Sequence, residues 1–144
     1  MKKPINKTEI SFPSNSVNEG YARAAVSSFL AQLDPTVADL TDIKTAVSEA
    51  VTNAIVHGYR DEIGTVYITV KIFADGKAVV RVRDKGCGIP DIKKAMEPLF
   101  TTGGEERAGL GFAVMESFCD SVRVSSKEGR GTSVTLTKFF EKKE

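Results

Sequence analysis

Between Leu40 and Tyr59 the chain reads as one long helix with two unlike faces, and this helix constrains everything around it. At 100° per residue, Leu40, Ile43, Val47, Ala50, Val51 and Ala54 gather within about 60° either side of one line, an amphipathic stripe that needs a second layer to cover it. Glu49 and Asn53 fall on the opposite side, one turn apart, with Thr52 and the apolar Val56 beside them. A face that only meets water draws Lys, Glu and Arg. A carboxylate and an amide stacked at i, i+4 among small and apolar side chains suit the wall of a site. Taken alone, the stretch fits an ordinary exposed face as well as a site wall. Which it is depends on the ligand chemistry found elsewhere in the chain.

The helix is expected to open near Asp39 or Thr41 as its cap and to close at His57-Gly58, with Gly58 in the C′ position. His57, near a helix C-terminus, reads as a dipole or packing residue rather than a catalyst. Before this helix, residues 7–12 alternate and suit a short strand. From Asn18 to Leu33 a second helix is expected, with Tyr21, Ala25, Phe29 and Leu33 at four-residue steps and Asn18 as its cap. Arg23 points away from that stripe. It is either simply solvated or, with a strand edge nearby, part of a partner surface.

After the long helix, Thr65–Phe73 and Ala78–Arg83 form a hairpin about Asp75-Gly76, a tight-turn pair. The second strand runs into Asp84-Lys-Gly-Cys-Gly88. Gly86 and Gly88 permit close backbone approach or positive φ, and the Asp84 carboxylate can accept from an exocyclic amine. A plain glycine-rich connection is the other reading. A short helix is expected over Asp91–Met96. Glu97–Ala108 shows no periodicity and reads as a long loop, such as a lid. Gly109-Leu110-Gly111 is then expected to open a helix through Phe118, which would aim free N–H groups and the positive dipole end at a phosphate. A glycine-rich helix start needed only for packing is the alternative. Residues 120–126 and 132–139 read as a closing antiparallel pair, with Thr132 just past the turn, and the final residues as a solvated tail.

The 144 residues are most simply a single domain over 1–144, large enough to bury a core without staples. A formal charge of +1 makes no bulk case for nucleic acid or an anionic membrane. With one histidine and two cysteines in no ligand spacing, zinc and c-type haem have little to bind. Lys2 and Lys3 are followed by polar residues rather than an apolar run, and no stretch approaches the roughly 20 apolar residues of a membrane span. The expected location is the cytoplasm, which the cysteine count fits.

Helix with Glu and Asn, hairpin with D-x-G-x-G, loop with G-x-G, final hairpin with Gly-Thr: in this order and spacing the elements resemble the GHKL ATPase superfamily, over about residues 8–140. The wording of Phe29-Leu-Ala-Gln-Leu-Asp-Pro-Thr36, Glu49-Ala-Val-Thr-Asn-Ala-Ile-Val-His-Gly-Tyr59 and Pro98-Leu-Phe-Thr-Thr102 is similar, more closely, to the anti-sigma-F family of spore-forming bacteria. These are small serine-protein kinases that bind a sporulation sigma factor and phosphorylate an anti-anti-sigma factor. The resemblance implies an α+β, two-layer sandwich of the Bergerat type, with a mostly antiparallel sheet covered by helices on one face. It implies ATP or ADP with Mg²⁺ as ligands, Asn53 on the metal and Glu49 as general base for the partner's serine. Asp84 would accept from adenine, with Gly86, Gly88 and Thr132 around it. Thr101, Thr102, Arg107, Gly109, Leu110 and Gly111 would line the nucleotide, Arg107 standing as the only cation between Glu97 and Gly111. Gly103-Gly104 departs from the stiffer, sometimes basic, lid expected there. Partners implied are the sigma factor, the anti-anti-sigma substrate and a second copy in a homodimer, with no nucleic acid and no membrane; Arg23 stays the candidate for a partner surface. A general-stress-type anti-sigma kinase, or a nucleotide-dependent sequestering module without turnover, remains as the alternative. The ATP-binding half of a histidine kinase is the reading with least support, since the sequence offers no dimerisation helix pair and no upstream phosphoacceptor His.

Overall fold

A computed structural model describes residues 3–59, 62–89 and 104–141, with backbone alone over 104–110. Strand β1 (Asn6–Pro13) leads into helix α1 (Asn18–Leu30) and a short 3₁₀ turn, Ala31–Leu33. Helix α2 (Val37–Asn53) continues into a π turn, Ala54–Gly58. The hairpin β2 (Thr65–Ile72) and β3 (Lys77–Asp84), helix α3 (Gly104–Phe118), and the closing pair β4 (Ser121–Lys127) and β5 (Gly131–Phe139) complete it. The five strands lie in the order β1-β2-β3-β5-β4, every neighbouring pair antiparallel. This is the α+β, one-sided architecture expected.

Strict alternation decides which side the helices cover. Val66, Ile68, Val70 and Ile72 of β2, Ala78, Val80 and Val82 of β3, and Val134 and Leu136 of β5 are buried. They meet Ile43, Val47, Ala50 and Val51 of α2, Val26 and Leu30 of α1, and Phe112 and Met115 of α3. Each fully buried Ile, Val, Leu or Phe among them contributes about 1.5–3 kcal/mol by leaving water. Removing any one would open a cavity in the layer that carries Glu49.

Several boundaries differ from expectation for identifiable reasons. Thr36, rather than Asp39 or Thr41, caps α2: its hydroxyl accepts from the Asp39 amide at 3.1 Å. The helix starts before its apolar stripe does, because Val37 and Ala38 can occupy a first turn that faces solvent. Asn18 does not cap α1. Its side-chain amide turns back and donates to the Pro13 carbonyl at 2.9 Å, tying the helix to the end of β1. Gly58 closes a π turn instead of standing outside an α-helix, and the Tyr59 amide reaches the Ala54 carbonyl at 3.3 Å. Helix α3 begins at Gly104, so Gly109 and Gly111 lie within it rather than before it. Glu105, Glu106, Arg107 and Ala108 are good helix formers, and together they outweigh the two glycines. The expected short helix over Asp91–Met96 and most of the expected loop lie outside the described residues.

Candidate nucleotide-binding site

Two clusters form along one line from α2 to the end of β3. In the first, Glu49 and Asn53 present their side chains to α3, and Gly111 sits directly on them. A Cβ added at Gly111 would come within 3.2 Å of both the Glu49 Oε2 and the Asn53 Nδ2. The absence of a side chain there is therefore what lets α3 approach the carboxylate and amide. The Asn53 Nδ2 is buried and has no hydrogen-bond partner among the described residues. An amide left unsatisfied beneath a helix costs about 1–3 kcal/mol, an expense that a polar ligand would relieve. Because an amide can turn end for end, the same orientation freedom makes its oxygen available to a hard cation.

The second cluster centres on Asp84, only 6% exposed. Its Oδ1 accepts the Gly86 N–H at 2.9 Å. Burial pushes its carboxyl above the ordinary carboxylate range, while hydrogen bonds from the Gly86 and Thr132 amides pull the other way and lose. Gly58, at the end of the π turn, packs against this carboxylate so closely that a Cβ would stand 2.7 Å from Asp84 Cγ. A Cβ on Gly86 would in turn collide with the Gly58 carbonyl, which accepts the Cys87 N–H at 2.9 Å. The two glycines thus key the end of the helix into the loop after β3. Gly88 (φ +75°) and Gly131 (φ +117°) take left-handed conformations, Gly131 against the Asp84 backbone. Thr132 shares a hydrogen bond of 2.8 Å with Ser126, whose hydroxyl also accepts the Ile89 N–H.

Tyr59 joins the pieces from below. Its hydroxyl accepts the Lys85 N–H at 2.6 Å and donates to the Thr65 carbonyl at 2.7 Å, fixing the π turn to the start of β2 and the end of β3.

Of the residues singled out in sequence, the structure brings Glu49, Asn53 and Gly111 together, and Asp84, Gly86 and Thr132 together. Gly86 and Gly88 serve the backbone packing of the loop itself. Gly109 and Leu110 lie inside the α3 backbone, so the G-x-G is not the helix N-terminus expected; α3 already runs from Gly104. Arg107 lies in the same turns, and its side chain is outside what is described. Thr101 and Thr102 fall outside the described residues. Arg23 stands apart on α1, ion-paired with Glu19 at 3.6 Å. The Glu19 carboxylate also takes a hydrogen bond from Ser48, the residue preceding Glu49. Gly58, Tyr59, Gly131 and Ser126 were missed. A Gly-Tyr pair just past the Asn of the helix, and a glycine directly before Thr132, were the available signals.

Residues 12–138 match the family model of the histidine kinase-like ATPase domain. The anti-sigma F factor of Thermoanaerobacter sp. (strain X514) is 55% identical over 137 residues, 94% of each chain. The chain belongs to the anti-sigma F family. Other members of that family are as near: that of Geobacillus kaustophilus (strain HTA426) is 53% identical over 95% of this chain and 94% of its own. Among solved structures, the RsbU and RsbW domains of a Mycobacterium tuberculosis protein superpose with a TM-score of 0.70 at 24% identity, over 95% of this chain and 32% of that one. The histidine kinase domain of Erythrobacter litoralis EL346 gives 0.56 at 21%, over 85% and 61%. These two likenesses speak for the fold of this anti-sigma F family member. Glu49, Asn53 and Asp84 all lie within the residues that the ATPase family model covers. No described helix is long and apolar enough to cross a membrane.

Proposed function

We propose that the chain is an ATP-dependent serine-protein kinase that holds a sporulation sigma factor inactive and phosphorylates an anti-anti-sigma factor on serine. The observation that carries this reading is the Glu49–Asn53 pair beneath Gly111, with a buried amide that no described residue satisfies. Asn53 fits a Mg²⁺ ligand by the chemistry of its amide oxygen, and the bound ion would neutralise charge on the transferring phosphoryl group. Glu49 accepts the proton of the partner's serine hydroxyl. A carboxylate is a weak base for an alcohol, so its work is positioning and late proton acceptance, about 10²–10⁴-fold. Asp84 accepts from the adenine amino group, which guanine replaces with a carbonyl. The buried setting of Asp84 sharpens that choice, because an unmatched carbonyl would leave two acceptors facing each other.

Arg23 presents a cation to an acidic partner surface, steadied by Glu19, which Ser48 in turn holds. Pairing of two copies would use the free edge of β1 and the groove beside it, lined by Ile10, Ala25 and Phe29.

Single-turnover phosphorylation with radiolabelled ATP and the anti-anti-sigma partner tests the reading. Glu49→Gln should slow phosphoserine formation about 10²–10⁴-fold with nucleotide affinity kept. Asn53→Ala should weaken Mg-ATP binding. Phosphoserine formed at the unmodified rate in Glu49→Gln would remove Glu49 as base. No phosphoserine from the unmodified protein itself would leave a nucleotide-dependent sequestering module.

A further inference from the structure

The face of the sheet that the helices leave open carries a charge pattern that overall composition conceals. Outward positions of the strands place Lys71 on β2, Lys77, Arg81 and Arg83 on β3, and Arg123 and Lys127 on β4. Glu9, on β1, is the one acid at the outward strand positions among the described residues, and it is paired with Lys7 at 3.2 Å. Since the whole chain sums to only +1, everything off this face is net negative. The density peaks in one row across three strands. Arg81 and Arg123 both pair in register with Thr135, which stands between them on β5. At a strand spacing of about 4.8 Å, the two arginine backbones are about 10 Å apart. Arg81, Arg123, Ser125, Ser133 and Thr135 line a groove there. The Arg81 Nε donates to the Ser133 hydroxyl at 2.8 Å, which holds the guanidinium over the groove.

We propose that this open face is a docking surface for an acidic patch on another protein, with the Arg81–Thr135–Arg123 row at its centre. Two guanidinium forks with hydroxyls between them suit paired carboxylates, each fork able to hold two oxygens. A second copy presenting the same face would set like charge against like, so this is not a self-pairing surface. Single-stranded nucleic acid needs aromatic platforms for successive bases. Tyr67 is already engaged, with the Arg83 guanidinium 4.9 Å and the Lys85 ammonium 5.1 Å from its ring centre. Phe139 stands four residues along β5 from Thr135, beyond the arginine row. With no aromatic ring in the arginine row itself, this face favours a protein surface over a single strand.

The test uses the full chain, labelled with ¹⁵N and titrated with a hexaglutamate peptide, a short oligothymidylate and inorganic phosphate in separate arms. The peptide should shift amides of β3, β4 and β5 around Arg81, Thr135 and Arg123, and its affinity should fall about tenfold between low and physiological salt. The double variant Arg81→Glu/Arg123→Glu should lose these shifts while melting at the unmodified temperature, since both side chains are exposed. The proposal is overturned if the peptide leaves those strands unshifted, if its shifts survive the double variant, or if oligothymidylate or phosphate alone binds there more tightly than the peptide.

Discussion

Asp84 is a carboxyl placed where a carboxylate is expensive. Its folded pKa lies above the ordinary value, so the stability it contributes is full below that ordinary value and is lost as pH rises through the raised one. Asp84→Asn keeps an acceptor for the Gly86 amide and removes the ionisation. The stability difference between variant and unmodified protein, followed by denaturant unfolding from pH 3.5 upward, should therefore move in favour of Asp84→Asn across the acid range. ATP affinity should fall in the same variant. A difference independent of pH would show that burial does not perturb this carboxyl. At this scale the candidate residues were legible but the packing constraints on them were not. Glu49, Asn53 and Asp84 announce themselves by residue type and spacing. Gly58 and Gly86 do not, because what forbids a side chain at each is an atom nearly thirty residues away.

The π turn at Ala54–Gly58 is the element that makes those contacts meet. A regular α-helix would rotate Gly58 away from Asp84; the wider turn carries its Cα against the carboxylate and its carbonyl to the Cys87 amide. Single π turns of this kind recur at functional sites. Gly58→Ala should cost about 1–3 kcal/mol from overpacking against Asp84 and should weaken ATP binding more than it changes thermal stability would suggest. Unchanged nucleotide affinity in a folded Gly58→Ala protein would separate the turn from the pocket. Apolar periodicity drew α2 accurately over its middle turns but could not show the π turn, since one extra residue in a turn barely alters a pattern of small and apolar side chains. Helix α3 misled in the opposite direction: Gly109 and Gly111 signalled a start, yet the charged residues before them propagate the helix back to Gly104.

At the scale of the whole molecule, the sheet order and the side the helices cover follow from strand alternation, which is why the fold class could be read early. The ties that hold layers together could not. Lys138, at the end of β5, donates to the Phe118 carbonyl at 2.9 Å and reaches Asp42 at 3.6 Å and Asp39 at 3.9 Å. One ammonium thereby satisfies the C-terminus of α3 and faces two carboxylates on the first turns of α2. Lys138→Met should destabilise by about 1–3 kcal/mol, chiefly from the orphaned carbonyl, with the ion pairs contributing less because Asp42 is partly solvated. Chemical unfolding at low and high salt would check this; a loss that vanishes in high salt would assign the effect to charge instead. A charged residue one position before the last strand's end offers no sequence sign of such a junction.

Tyr59 also has an optical consequence. The chain contains no tryptophan and three tyrosines, so its ultraviolet emission comes from phenol rings alone. Of these, Tyr59 is nearly sealed and hydrogen-bonded on both sides at the seam of helix, hairpin and loop, and burial holds its hydroxyl protonated beyond the usual alkaline limit. A protein without engineered labels thus carries a native fluorophore one residue from Gly58, placed to register whether the floor of the pocket is shut.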